Sequence, residues 1–229
     1  VTQGPEVARF EAELAAFVSP DDPPHAVATS SCTTALHLAL LAVGVGPGDE
    51  VVCPSHSFVA TANAVRHCGA TPVFADVDAA TFNLDPADVE RRLSPRTRAL
   101  LVVHQLGLPC DLEALVGLAR ARGLPVVEDA ACAIGSQVLV DGAWERIGRP
   151  RGDLACFSFH PRKLVTTGDG GMITTRDAAL AERLRRMRQH GMSVTDAQRH
   201  GSPAVIFEEY TAPGFNYRLT DLQAAVGRV

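Results

Sequence analysis

Apolar positions recur along the chain in two different spacings between about residue 26 and residue 190. In some segments they return every three to four positions and end at turn residues, which predicts helices. These segments are 33–45, 58–69, 86–93, 111–123 and 177–191. Asp85 precedes one of them and Asp111 begins another, each as an N-terminal cap, and Gly44 is suited to end the first.

Between these helices lie short, continuous apolar runs that are typical of buried strands. The predicted strands fall within 46–54, 70–78, 98–104, 124–130, 153–159 and 170–175. Strands that alternate with helices predict an α/β fold, in which a mostly parallel sheet is flanked by helices on both faces. A ligand is then expected at the carboxyl ends of the strands. Residues 192–215 lose the periodicity, so we predict a long loop there.

Composition narrows the class of protein. The chain has 229 residues, 46% of them hydrophobic, which suits one large domain or at most two. A net charge of −5 gives no reason to expect nucleic acid or an anionic membrane as partner. No apolar run approaches the ~20 residues of a membrane span, and the first residues do not resemble a signal peptide. Six scattered cysteines without a CxxC pair predict neither a zinc site nor a disulfide framework. A soluble, reduced, cytoplasmic protein is the default expectation.

The basic residues are almost all arginine. Of the 21 lysine and arginine residues, 20 are arginine, and Lys163 is the one lysine. Lineage or codon bias accounts for most of this skew. Bias does not explain the exception, however, and a primary amine condenses with an aldehyde whereas a guanidinium does not. Lys163 is therefore a candidate for a chemically required residue.

Small hydroxyl residues open the first predicted helix, in the run SSCTTALHLAL at 30–40. Free amide groups and the positive end of the helix dipole converge at such a helix start, which suits a phosphate. An ordinary serine or threonine cap is the alternative interpretation.

Two further groups lie near strand ends. Glu128 and Asp129 end a buried strand, and because side chains alternate along a strand, only one of them can face a ligand there. Ser158 and His160 precede Lys163, and a glycine-rich turn follows it. This stretch matches neither a Walker loop nor GxGxxG. The alternatives are a helix-capping acid, a plain hairpin connection and a packed histidine.

The order of these groups is more informative than any one of them. Pyridoxal 5′-phosphate (PLP) requires hydroxyls and amides for its phosphate, a carboxylate for its ring nitrogen and an amine for its aldehyde. The chain supplies a hydroxyl-lined helix start, a strand-end aspartate, and a serine followed five residues later by a lysine. The sequence therefore predicts a PLP site.

The ordered motifs resemble the DegT/DnrJ/EryC1/StrS family of PLP-dependent sugar aminotransferases. The matching stretches are GDEVVCPSHSFVATANAV, GATPVFADVDAATFNLDP, VEDAACAIG, SFHPRK followed by TTGDGG, and FNYRLTDLQAAVG. The resemblance implies the fold type I large domain. It also implies that residues 1–229 form the PLP-binding large domain, without the extreme N-terminus and the small C-terminal domain of the family.

The resemblance assigns roles to individual residues. It implies that Lys163 bonds to the PLP aldehyde and later moves a proton, and that Asp129 pairs with the pyridinium nitrogen. The phosphate would be held by Thr33, Thr34 and Ser158. Phe58 would stack on the ring. Asn216, in the NYR motif, would reach the phosphate of the neighbouring subunit, which implies a homodimer with shared active sites.

Two positions of this chain differ from the residues that some members of the family have there. Cys132 stands where many relatives have glutamine or histidine, so a weaker hydrogen bond to the phenolic oxygen of PLP is expected from this cofactor-binding position. Relatives that act as sugar 3-dehydratases replace the lysine by histidine, whereas Lys163 is intact and favours transamination.

The resemblance implies transfer of an amino group, from glutamate, to a keto group of a nucleotide-linked deoxysugar in polysaccharide, other glycan or secondary-metabolite biosynthesis. Two alternatives remain open: a PLP-dependent sugar dehydratase or lyase, and a truncated non-catalytic assembly domain. His56, His104 and His160 are candidates for substrate contacts near strand ends, with packing roles as the alternative.

Overall fold

A computed structural model describes residues 3–194 and 207–229. Its helices are α1 (Pro5–Val18), α2 (Cys32–Ala42), α3 (Val59–His67), α4 (Pro86–Arg92), α5 (Leu112–Ala121), α6 (Ala178–Met187) and α7 (Asp221–Gly227), with a 3₁₀ turn at Gln105–Gly107. Its strands are β1 (His25–Thr29), β2 (Glu50–Pro54), β3 (Thr71–Ala75), β4 (Thr97–Val103), β5 (Val126–Asp129), β6 (Gln137–Val140), β7 (Ala143–Arg146), β8 (Leu154–Ser158) and β9 (Gly171–Thr175). Within the described ranges, no helix combines the length and the apolar character needed to cross a membrane.

Among the described residues, seven strands form one sheet in the order β1-β9-β8-β5-β4-β2-β3. The pairings between β3, β2, β4, β5 and β8 are parallel. Strand β9 is antiparallel to both of its neighbours, β1 and β8. Strands β6 and β7 form a separate two-stranded hairpin. The prediction of a mostly parallel sheet in an α/β fold is confirmed.

Helices cover both faces of this sheet, as predicted, and the alternation along each strand explains why. In β4, Leu100 and Val102 pack into one apolar cluster, to which α1, α4, α5 and α7 also contribute. Leu101 lies between them in the sequence and joins the other cluster, to which α2, α3 and α6 contribute. A strand that is buried on both faces needs apolar residues at every position, which is the continuous pattern seen in the sequence.

The predicted helix ends are also found. Asp85 accepts a hydrogen bond from the amide of Ala87, and Asp111 accepts one from Ala114, so both are N-terminal caps. Helix α2 ends at Ala42, and Gly44 follows it with a φ of +88°, a conformation that favours glycine.

Several elements were not predicted or differ in length. No specific prediction was made for α1, β1, α7 or the β6–β7 hairpin. Strand β6 alternates between exposed and half-buried positions, and β7 has two exposed positions followed by two half-buried ones, so neither has the continuous buried pattern of the main sheet. The predicted helix 177–191 ends at Met187. Within the predicted loop 192–215, residues 195–206 lie outside the described residues, and the remainder contains no helix or extended strand.

A buried polar network joins the ends of β4 and β5. Glu128 is 0% exposed, and its carboxylate accepts hydrogen bonds from the amides of Arg151 and Gly152, each at 2.8 Å. Its other oxygen lies 3.2 Å from Nε2 of His104. Nδ1 of His104 accepts from the amide of Cys110 at 3.2 Å, which assigns the ring proton to Nε2. The network secures the strand ends from the side opposite the site described next.

Candidate active site

A cavity of about 540 Å³ opens at the carboxyl ends of β5 and β8. This is the position expected for a ligand in a parallel α/β sheet. Six of the eight predicted cofactor and catalytic residues line it: Thr33, Phe58, Asp129, Cys132, Ser158 and Lys163. The structure therefore brings together residues from four separate parts of the chain.

The other two predicted residues, Thr34 and Asn216, lie outside the cavity lining. The Thr34 hydroxyl takes part in the capping box of α2, accepting from the amide of Ser31 at 3.1 Å and donating to its carbonyl at 2.8 Å. Asn216 is exposed and forms an isolated backbone bridge with Gln189. Thr34 thus shapes the helix start, and Asn216 does not take part in lining this subunit's cavity.

Strand alternation decides which acid enters the cavity. Asp129 shares its direction with Val127, which packs under α2 and α3, and it lines the cavity while remaining only 5% exposed. Glu128 points to the opposite face, into the network with His104. As the alternation predicts, one of the two acids lines the cavity, and that acid is Asp129.

The Asp129 carboxylate is oriented by two neutral donors. Thr61 Oγ1 donates to Oδ2 at 2.9 Å, and the amide of Ala131 donates to Oδ1 at 3.1 Å. Burial raises the pKa of Asp129 above its ordinary value, while these hydrogen bonds and the charge of Lys163 act in the opposite direction. A cation in the cavity would stabilise this buried negative charge.

The start of α2 forms the opposite wall. Gly171 in β9 allows this close approach, because a Cβ there would lie 2.4 Å from the carbonyl oxygen of Ser31 and 2.7 Å from the amide nitrogen of Cys32. The hydroxyls of Ser31, Thr33 and Ser158 line the same region. Two N–H groups of the first turn, those of Cys32 and Thr33, have no helical acceptor at this position. Hydroxyls and free amides at a helix N-terminus suit a phosphate.

Lys163 lies in the turn between β8 and β9. Its backbone amide donates to the carbonyl of His160 at 2.9 Å, and the half-buried residue lines the cavity. The Nζ atom donates to Sγ of Cys132 at 3.1 Å. The one amine side chain of the protein therefore shares a cavity with the Asp129 carboxylate.

Sequence reasoning missed several residues at or behind the cavity wall. Ser31 lies within the predicted run of hydroxyl residues, but the spacing did not show that Ser31 would line the cavity and Thr34 would not. Thr61 is hydrogen-bonded both to Asp129 and, at 2.7 Å, to Ser57, and no motif indicated this contact. Arg162 and Asp169, in the same turn as the lysine, also line the cavity.

The three candidate histidines have different environments. His104 borders the cavity, but both of its ring nitrogens are hydrogen-bonded within the protein. His160 lines the cavity, and its Nδ1 accepts from the amide of Arg162. His56 lies outside the lining and packs near the ring of Phe82. Of the two histidines that line the cavity, His104 has both ring nitrogens engaged, and His160 keeps Nε2 for a ligand.

Comparison with known proteins gives several similar chains. The curated protein SpsC of Bacillus subtilis, a spore coat polysaccharide biosynthesis protein, is 44% identical over 227 residues, which are 99% of this chain and 56% of that protein. GDP-perosamine synthase of Caulobacter vibrioides is 47% identical over 203 residues, 89% of this chain and 51% of that protein. The crystal structure of S. venezuelae DesV in complex with a ketimine intermediate superposes with a TM-score of 0.88 at 43% identity, covering 99% of this chain and 56% of that chain.

This chain therefore spans about half the length of the curated relatives it matches. The model of the DegT/DnrJ/EryC1/StrS aminotransferase family matches residues 1–229. The family and its solved relatives are PLP-dependent aminotransferases. The motifs, the fold and the match over residues 1–229 agree, and the chain belongs to the DegT/DnrJ/EryC1/StrS aminotransferase family.

Proposed function

We propose that this protein is a PLP-dependent aminotransferase that moves an amino group from glutamate to a keto group of a nucleotide-linked deoxysugar, in the biosynthesis of a polysaccharide, another glycan or a secondary metabolite. One observation carries this proposal: the single lysine of the chain lies in the cavity that also holds the buried carboxylate of Asp129 and the hydroxyl-lined start of α2. GDP-perosamine synthase, a relative named for a nucleotide sugar, supports the substrate class.

The residues present fit PLP. The start of α2, with Thr33 and with Thr34 in its capping box, and Ser158 would hold the phosphate. The Asp129 carboxylate would pair with the ring nitrogen. Phe58 is 68% exposed at the edge of the cavity, where its free face is available to stack on a ring. Cys132 would lie near the phenolic oxygen.

PLP, when bound, supplies an electron sink for the carbon that carries the amino group. Asp129 has the charge to keep a ring nitrogen protonated in its buried position. Lys163 is the cavity's primary amine, so it would hold the aldehyde at rest and then, once released by the amino donor, move a proton as a base and an acid. At this position the Lys163 amine donates a hydrogen bond to Sγ of Cys132.

The proposed assembly is a homodimer in which Asn216 completes the neighbouring active site. Exposure of Asn216 and its position outside this subunit's cavity are consistent with such a role. Residues 1–229 would form the PLP-binding large domain of the protein. The six cysteines are free thiols, which fits the proposed cytoplasmic location.

Lys163→Arg tests the proposed attachment of PLP while keeping the positive charge. Borohydride reduction of the PLP-loaded protein should fix the label on the peptide that contains Lys163, and the variant should retain no label. Mass spectrometry of the digested protein makes the measurement. The variant Arg162→Lys, which restores a lysine one position away, is paired with Lys163→Arg as a control for position. Label that persists on the N-terminal amine in Lys163→Arg would count against the assignment.

Asp129→Asn separates cofactor binding from folding. Loss of one partner of a buried charge pair costs about 3–5 kcal/mol, so PLP should bind at least roughly 100-fold more weakly. Fluorescence titration with PLP measures this affinity. The exposed helix cap Asp111→Asn is a matched control, because asparagine also caps helices, and it should leave the affinity unchanged.

Although Asp129→Asn should weaken PLP binding, it should not lower the stability of the PLP-free protein. Because the pKa of Asp129 is raised in the folded state, that state releases the proton at higher pH than the unfolded chain does. The folded state therefore becomes less stable as the pH rises from near 4 through the folded-state pKa of Asp129. This loss of stability is present at pH 7. Asp129→Asn should melt at the same or a higher temperature than the parent protein at pH 7. A lower melting temperature together with unchanged PLP affinity would contradict the account.

Mixing two inactive variants tests the shared active site. In a dimer of Lys163→Arg with Asn216→Ala, one of the two sites contains both an intact Lys163 and an intact Asn216. Random mixing after reversible dissociation should therefore restore about a quarter of the parental activity with glutamate and a keto-sugar nucleotide. Each variant alone should remain impaired. A mixture no more active than the sum of its parts would exclude the contribution of Asn216 from a second subunit.

A further inference from the structure

Cys132 and Lys163 form a contact that the proposed transamination does not require. Sγ of Cys132 lies 3.1 Å from Nζ of Lys163, which is hydrogen-bonding distance for sulfur and also within reach of bond formation after a small movement. The two residues come from different segments, after β5 and after β8, so the contact depends on the fold. It unites the one lysine of the chain with a cysteine at the same cavity wall.

Accessibility distinguishes Cys132 from the other cysteines. The remaining five are buried, whereas Cys132 is half-buried and faces the open cavity. Burial raises the pKa of the thiols of Cys32, Cys53, Cys68 and Cys156, which suppresses their reactive thiolate forms. Cys32 also lines the cavity but is only 8% exposed. Cys132 is therefore the more accessible sulfur for a small oxidant that enters the cavity, and it has an amine beside it.

We propose that Cys132 and Lys163 are a redox modification site that closes into a covalent sulfur–nitrogen crosslink in the presence of hydrogen peroxide. Peroxide transfers one oxygen atom to the Cys132 thiol, giving a sulfenic acid and one water. The neutral amine of Lys163 then attacks the sulfur. The S–O bond breaks, the hydroxyl group leaves with a proton from the amine as a second water, and the S–N bond forms. The pair loses two hydrogen atoms in total, and peroxide is reduced to water.

The position of the amine explains why the crosslink should form before further oxidation. An amine held next to the sulfenic acid reacts at an effective concentration far above that of dissolved peroxide. The crosslink consumes the one lysine side chain and so prevents it from reacting with an aldehyde. Two thiol molecules reverse it: the first displaces the amine to give a mixed disulfide, and the second releases the Cys132 thiol and leaves as a disulfide.

The regulatory meaning of this crosslink rests on the proposed function, because PLP engaged by Lys163 would withhold the amine. The chemistry of the crosslink does not rest on it. Treatment of the PLP-free protein with peroxide should therefore give an intact mass lower by about 2 Da and a crosslinked peptide pair that contains Cys132 and Lys163. Dithiothreitol should restore the original mass.

Three variants identify the atoms involved. Cys132→Ser should abolish the mass loss, and Cys68→Ala, which removes a buried thiol outside the cavity, should keep it. Lys163→Arg should leave a sulfenic acid on Cys132 that the reagent dimedone captures, at a yield at least about 10-fold above the parent protein. Added oxygen on Cys132 of the parent protein without a link to Lys163 would overturn the proposal.

Repeating the peroxide treatment on the PLP-loaded protein distinguishes the crosslink proposal from the proposed attachment of PLP to Lys163. Protection from the mass loss supports both. Crosslinking at an equal rate with and without PLP supports the Cys132–Lys163 site but contradicts attachment of PLP to Lys163. Absence of the crosslink in the PLP-free protein overturns the further inference, whatever the PLP-loaded protein does.

Discussion

The burial of one carboxylate determines what this cavity can bind. Asp129 ends β5 in the interior, where it receives hydrogen bonds from a threonine hydroxyl and a backbone amide. Those neutral donors orient the group but do not neutralise its charge, and burial raises its pKa. The carboxylate therefore disfavours an empty or apolar cavity and favours a ligand with a positive charge at that point. A protonated ring nitrogen satisfies this requirement, and the phosphate and the aldehyde of PLP then need partners at fixed distances from it.

The fold supplies those partners through backbone geometry. Alternation along β5 turns Asp129 toward the face that carries α2 and α3, while Glu128 is directed into a network on the opposite face. The absence of a side chain at Gly171 lets the start of α2 approach β9 closely. The turn after β8 brings the lysine back over the strand ends. Each feature is a local consequence of strand or turn geometry, and together they assemble one cavity from distant segments.

Much of this could be predicted from the sequence. The parallel sheet followed from continuous apolar runs, and the helix caps at Asp85 and Asp111 followed from their spacing. Lys163 was identified by its rarity and by the order of the motifs around it. The alternation along β5 predicted that only one of Asp129 and Glu128 would face the cavity. The apolar pattern did not show which face of the strand carries the cavity, so by itself it did not choose between the two acids.

Other features could not be predicted because they depend on tertiary contacts. The spacing in the hydroxyl run did not indicate that Thr34 would be engaged in a capping box while Ser31 lines the cavity. The Thr61 contact to Asp129 joins residues 68 positions apart. The sequence identified Cys132 only as a departure from the family. Its contact with Lys163 depends on the relative position of two loops. The role of Asn216 depends on a second subunit and stays a prediction.

The amino-donor half of the reaction tests the central claim most directly, since it does not require the identity of the sugar. The PLP-loaded protein is mixed with ¹⁵N-glutamate in the absence of any keto substrate, and both 2-oxoglutarate and the nitrogen bound to the cofactor are quantified in a single turnover. The account predicts one 2-oxoglutarate per occupied site, with the ¹⁵N retained on the cofactor. Glutamate left unchanged by a fully PLP-loaded protein, combined with donor-independent loss of water from a keto-sugar nucleotide, would contradict it.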